Sequence, residues 1–111
     1  MVSRDIQRVL QFDVFPNPSA TTRSVRPFVM VLQGNHLEER PTRVVAPLVS
    51  SSVVVPTSRM TPTFTIEGKD YVLSIIELSV FPTRSLKGRI AKFDGRRDDV
   101  IRALDILFGG V

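Results

Sequence analysis

The sequence predicts a mostly β domain finished by a single C-terminal helix, and three observations carry that expectation. Short apolar runs recur between Leu10 and Ile76, turn-forming residues separate them, and after Arg97 the apolar spacing changes from strand-like to helical. A run of strands followed by one helix is the pattern of a sheet with a helix packed on it.

The strands follow in order. Leu10 to Phe15 alternates, with Leu10, Phe12 and Val14 on one side and Gln11, Asp13 and Phe15 on the other, which is the period of a half-buried strand. Pro16-Asn17-Pro18-Ser19 ends it, and the polar tract through Ser24 reads as a long hairpin loop. Phe28 to Leu32 is continuously apolar, so this strand is expected to be buried on both faces. Gln33-Gly34-Asn35-His36 is turn chemistry. A third strand runs through Val44, Val45 and Ala46 to Pro47, whose missing N–H predicts a sheet edge there. Val49 to Val55 carries three serines and closes at Pro56; it reads either as a strand or as an irregular connection.

Phe64 and Ile66 alternate with Thr63 and Thr65, Glu67-Gly68-Lys69-Asp70 reverses the chain, and Tyr71 to Ile76 returns as the partner of a hairpin. Glu77 to Phe81 and Ser85 to Ile90 are candidate short strands separated by Pro82. Val100, Ala103, Leu104, Leu107 and Phe108 then recur at helical spacing. Asp98 and Asp99 fall in the first turn, where carboxylates offset the helix dipole, and Gly109-Gly110 ends the helix. Ile101 and Ile106 widen the apolar face; they either complete the monomer core or form a homodimer contact.

With 111 residues the chain has room for one domain, expected over residues 10–111, behind a loosely held extension over residues 1–9. It has no cysteine, which fits a reducing compartment, and the cytoplasm is the expected location. No apolar run reaches the ~18 residues of a membrane span, and Arg4, Asp5 and Arg8 interrupt the place of a signal peptide, so no membrane association is expected. The net charge is +4, and twelve of the fifteen basic residues are Arg. That balance favours an anionic partner. The arginines are scattered without interleaved aromatics, so an acidic protein segment satisfies the charge as well as nucleic acid does, and direct nucleic-acid recognition is not expected.

Chemical motifs are few. His36 is the only histidine, which excludes a Ser-His-Asp triad or a histidine metal cluster within one subunit, and its polar turn reads as a solvent-exposed position. Asp105 is six residues after Asp99 and falls far from it round the helix, so Asp98, Asp99 and Asp105 read as dipole compensation and a solvated surface. Gly109-Gly110 opens no helix and has no phosphate-loop spacing. No catalytic residue, metal or cofactor is therefore expected, and the chain reads as a binding protein rather than an enzyme.

Five segments in register resemble the CcdB family of toxins: Gln11-Phe12-Asp13-Val14-Phe15, Phe28-Val29-Met30-Val31, Thr42 to Leu48, Thr61 to Ile66 with the Gly68 turn and Tyr71, and Arg97 to Phe108 with Gly110-Val111. The resemblance implies an SH3-like barrel with a small second sheet and one C-terminal helix, assembled as a two-fold homodimer. It also implies a toxin that binds the DNA gyrase A subunit and traps the cleaved DNA complex, neutralised by an acidic, partly disordered cognate antitoxin. By position, the gyrase-facing residues are Asp105, Phe108, Gly109, Gly110 and Val111, with Asn35, His36 and Leu37 nearby; Gly109 stands where the family pattern has a tryptophan. Arg23, Arg26 and Arg43 are the expected antitoxin contacts. The step Arg26-Pro27 into the second strand also resembles the metal-independent ribonuclease toxins of the MazF type, which share the fold. That gives an endoribonuclease as the alternative function, beside an inactive remnant that only binds antitoxin.

Overall fold

The structure, a computed structural model, describes residues 8–56 and 59–109. Its strands are β1 (Asp13–Pro16), β2 (Phe28–Val31), β3 (Thr42–Ser50), β4 (Thr63–Ile66), β5 (Lys69–Leu73), β6 (Ser79–Pro82) and β7 (Ala91–Lys92), followed by the helix α1 (Arg97–Leu107). All pairings are antiparallel. The order is β4-β5-β3-β2-β1-β7, with β6 also paired to β3. The expected architecture is present, a mostly β, nearly closed barrel sheet with one C-terminal helix. The expected small second sheet is not separate: the β4–β5 hairpin belongs to the same seven-stranded sheet, joined through β3 because β5 pairs with its last three residues. Among the described residues no helix is long and apolar enough to cross a membrane.

The sheet is covered on both sides. Phe12, Val14, Met30, Leu48, Phe64 and Leu73 form one core with Val100 and Ala103 of α1. Val9, Phe15, Val29, Val31, Val45 and Leu86 form the other. β2 thus feeds alternate residues into opposite cores, as its unbroken apolar run requires. β1 does the same, with Val14 in one cluster and Phe15 in the other, so it is buried on both faces and not on one.

Pro47 corrects the sequence expectation. It lies inside the central, nine-residue β3, opposite Val29 of β2, and not at a sheet edge. The N–H of Leu32 donates to Val44 O at 2.9 Å, so the positions bonded to β2 alternate as Val44, Ala46 and Leu48. The nitrogen of Pro47 therefore faces the other side. There β6 pairs with Thr42 to Val45 and β5 with Leu48 to Ser50, leaving a gap at Pro47 where no acceptor goes unserved.

Other boundaries shift for local reasons. β1 starts at Asp13 and not at Leu10, because Phe12 takes a positive φ of 70° and the N–H of Asp13 closes a turn on Leu10 O. Val49 and Ser50 complete β3, and the following residues turn back on Ser50. β6 includes Pro82; Thr83–Ser85 is a 3₁₀ turn, and the expected strand Ser85 to Ile90 does not form, the pairing residues being Ala91–Lys92 just after it. At the other end Val9 is buried and Arg8 forms a bidentate pair with Glu38 at 2.7 Å, so the last two residues of the expected extension are packed.

Two buried charges hold segments together. Asp13 is fully buried and accepts the Leu10 N–H at 2.9 Å, with Lys92 at 3.4 Å and Arg89 at 3.7 Å. Arg43 is 4% exposed. Its guanidinium donates to the carbonyls of Val9, Glu38, Arg40 and Thr42 and to Thr83 Oγ1, at 2.7 to 3.2 Å. Replacing it strands buried acceptors, each costing about 1 to 3 kcal/mol. Arg43→Met should therefore lose at least ~3 kcal/mol of stability, with Arg43→Lys recovering only part because an ammonium cannot span the same acceptors. Urea unfolding followed by circular dichroism measures this; a loss below about 1 kcal/mol would show that the hub is dispensable.

Candidate functional site

The gap opposite Pro47 is filled by Ser74–Leu78, which crosses from β5 to β6 with a 3₁₀ turn at Ile75–Glu77. The N–H of Ser74 donates to Pro47 O at 2.9 Å and fixes this crossing against β3. Ile75 is buried while Ile76 is exposed, which sets the turn's orientation. Glu77 follows, in reach of the loop between β1 and β2.

That loop is built around Asn17. Its side chain is 3% exposed, its Nδ2 donates to Thr22 Oγ1 at 2.9 Å and to Arg26 O at 2.8 Å, and its Oδ1 accepts the Ser19 N–H at 2.9 Å. The backbone adds helical bonds, Arg23 to Ser19 O and Arg26 to Thr22 O. Pro27 then restricts Arg26 to an extended approach to β2. The loop is thus an ordered platform that delivers one guanidinium.

Arg26 Nε donates to Glu77 Oε1 at 2.6 Å, and Ser74 Oγ donates to Glu77 Oε2 at 2.6 Å. The pair lines a cleft of about 320 Å³ with Asn17, Thr22, Pro47 and Phe81. Partial burial pushes the Glu77 carboxyl up, but the hydrogen bonds from Arg26 and Ser74 and the Arg26 charge outweigh it, leaving it below the usual carboxylate range. The hydrogen bond to Glu77 and then its charge raise Arg26 further, so both groups are ionised at neutral pH. The Nη groups of Arg26 have no partner among the described residues. A fixed carboxylate beside a guanidinium with free donors can accept a proton and stabilise developing oxyanion charge.

The residues expected from sequence do not converge. Arg23 is spent on its own loop, donating to Asn17 O at 2.8 Å and Pro18 O at 3.2 Å. Arg26 lies in the cleft. Arg43, expected to meet an antitoxin, is buried in the hub described above and presents no guanidinium to a partner. Asn35–Leu37 is an exposed 3₁₀ turn with the His36 ring over Gly34, where a Cβ would come within 2.7 Å. Asn35 Oδ1 accepts the Gln11 N–H at 2.7 Å, and Gln11 Oε1 accepts from Arg97 Nη1 at 3.1 Å. The turn is therefore tied to the start of α1, roughly 16 Å of helix away from Phe108. At the other end Phe108 is 72% exposed, Asp105 is exposed, and Gly109 has φ +82°. A tryptophan at 109 would strain that left-handed cap. Gly110 and Val111 lie outside the described residues.

Glu77 and Ser74 were not singled out from sequence. Glu77 stands 51 positions from Arg26, and no local motif links the two.

Comparison with curated proteins gives no match. Solved structures share the fold. An endoribonuclease from a mycobacterial species aligns with TM-score 0.71 at 11% identity, over 96% of each chain. An endoribonuclease in complex with its cognate antitoxin, also mycobacterial, aligns with TM-score 0.70 at 11% identity, over 90% of this chain and 94% of that one. The Mycobacterium tuberculosis toxin MazF-mt6 aligns with TM-score 0.63 at 16% identity, over 76% and 86%. These likenesses correct the expectation that the chain is not an enzyme, for its fold is that of proteins named as endoribonucleases. A lone histidine does not exclude catalysis, because an arginine and a carboxylate can between them supply metal-independent proton transfer and charge stabilisation. The CcdB protein profile matches residues 11–110, nearly the whole chain, and with the five segments already in register the chain belongs to the CcdB family, toxins of toxin–antitoxin systems.

Proposed function

We propose that this toxin cleaves single-stranded RNA at the Arg26–Glu77 cleft, without a metal, and that an acidic antitoxin covers the cleft to silence it. The observation carrying this reading is the carboxylate held ionised at 2.6 Å from a guanidinium in an open cleft, on a fold shared with endoribonucleases. Glu77 takes the proton of a ribose 2′-hydroxyl as its oxygen bonds to the adjacent phosphorus. Arg26 neutralises the charge gathering on the phosphoryl oxygens. The bond to the 5′-oxygen then breaks and that oxygen takes up a proton, giving a cyclic phosphate and a 5′-hydroxyl with no net proton change. Val25, Ile76 and Val80, all more than 40% exposed, offer apolar anchors for a partner that folds on binding.

A second reading is favoured by the family match and by the exposed Phe108 and Ile106 at the end of α1. In it the helix faces pair in a homodimer whose ends engage the gyrase A subunit.

Single-turnover assays on a mixed RNA, in the presence of a chelator, separate the two. Arg26→Ala should slow cleavage by about 10² to 10³ and Glu77→Gln by about 10² to 10⁴, with the fold intact. Intact RNA, together with linear plasmid when gyrase and ATP are supplied, would overturn the first reading in favour of the second. In that case Phe108→Ser should abolish linear plasmid, whereas it should leave RNA cleavage unchanged if the first reading holds.

The pH dependence follows from the lowered Glu77. A carboxyl depressed in the folded state stabilises above its unfolded value, about 4.3, and that stability is lost as pH falls through the lower folded value. The stability difference between the wild type and Glu77→Gln should be present at about pH 6 and vanish in acid below the usual carboxylate range. A difference unchanged across that range would show that the pair is not linked to folding.

A further inference from the structure

A second cleft lies where the start of α1 meets the strand β4. Arg59, Arg96, Arg102 and Asp99 line it together with Pro62, in a volume of about 210 Å³. Three arginines and one carboxylate line it, and that carboxylate is already taken: Arg96 Nε donates to Asp99 Oδ2 at 2.6 Å. Arg96 is further anchored by Thr63 O at 3.1 Å and by the Phe64 ring, whose centroid lies 4.3 Å from its guanidinium carbon. Phe64 is 1% exposed and packs on Phe93, so the platform under Arg96 is rigid. Arg59 and Arg102 are exposed and have no ion-pair partner among the described residues. The lining of this cleft thus carries three arginines and one carboxylate, with Arg96 fixed and Arg59 and Arg102 outside any ion pair among the described residues, while Asp98 and Asp105 border Arg102 in the adjoining groove; planar forks suit phosphate oxygens.

We infer that this arginine cleft binds a phosphodiester of the RNA strand cleaved at Arg26–Glu77; the identity of the ligand rests on that reading. The two clefts are linked through the fold. The Leu73 N–H donates to Pro62 O at 2.9 Å, and Glu77 follows four positions later. An extended chain spans at most ~3.6 Å per residue, so the clefts lie within roughly 20 Å, a distance an extended strand covers with a few phosphates. The arginine cleft holds the backbone and carries no chemistry.

The test uses the whole protein and a fluorescent, uncleavable 2′-O-methyl oligoribonucleotide, with anisotropy read across a salt series. Arg59→Gln/Arg102→Gln, at exposed positions without an ion-pair partner among the described residues, should weaken binding roughly threefold to tenfold and flatten the salt slope by about 0.7 per lost phosphate contact. On cleavable RNA the same protein should show a raised KM with kcat unchanged, unlike Arg26→Ala, which lowers kcat. Equal affinity and salt slope in the wild type and the double variant, with cleavage intact, overturn this inference and leave the cleft reading standing. No RNA binding or cleavage by the wild type overturns both. Loss of polyglutamate binding in the double variant, with RNA binding unaltered, assigns the arginines to an acidic peptide and also overturns it.

Discussion

Pro47 has no N–H to give, and β3 keeps a partner on that side only before and after it. β6 pairs with the first half of β3 and β5 with the last three residues, so the chain between them must cross the gap. The crossing is held by the one group Pro47 does offer, its carbonyl, which accepts from Ser74. From that bond follow the 3₁₀ turn, the burial of Ile75 in the core shared with α1, and the position of Glu77. A residue with an N–H at 47 would leave a donor facing a gap with no strand opposite it.

The same economy governs the buried charges. Arg43 and Asp13 lie inside a sheet covered on both faces, where an unpaired charge is costly, and each is met by several groups. Arg43 gathers carbonyls from Val9, from the turn after Leu37 and from β3 itself, so it ties the chain's first described residues to the central strand. Asp13 faces Lys92 and Arg89 and so ties β1 to the short β7 region. Neither interaction leaves a group free for a partner. They shape the scaffold, and other arginines remain in clefts.

Charge sign at those clefts is set by what each arginine has to pair with. At Arg26 a single carboxylate, kept ionised by Ser74 and the guanidinium, gives a charge-balanced pair. At the other cleft Asp99 pairs with Arg96 alone, and Arg59 and Arg102 line the same cleft without an ion-pair partner among the described residues. A net charge read from composition cannot distinguish these arrangements, because both contribute arginines to the same total.

The sequence by itself determined the class of fold and much of its core. The unbroken run Phe28–Leu32 announced a strand buried on both faces, the turn at Gly68 announced the β4–β5 hairpin although Lys69 and Asp70, expected in that turn, pair in β5, and the spacing of Val100 and Ala103 announced the helix, because these are features of side-chain direction and turn chemistry within a local segment. Register across β3 was not legible. Pro47 read as an edge residue since proline lacks a donor, whereas the tolerance for that lack comes from a gap between two distant strands. Arg26 was legible as a candidate through its Arg-Pro step, but Glu77 was not, and neither was the burial of Arg43. Both depend on long-range contacts, 51 positions for the ion pair and 34 for the bond from Arg43 to Val9, which no local period encodes. The tertiary structure alone decided which arginines are spent inside the fold and which face solvent, because that choice follows from the acceptors that folding brings within hydrogen-bond reach.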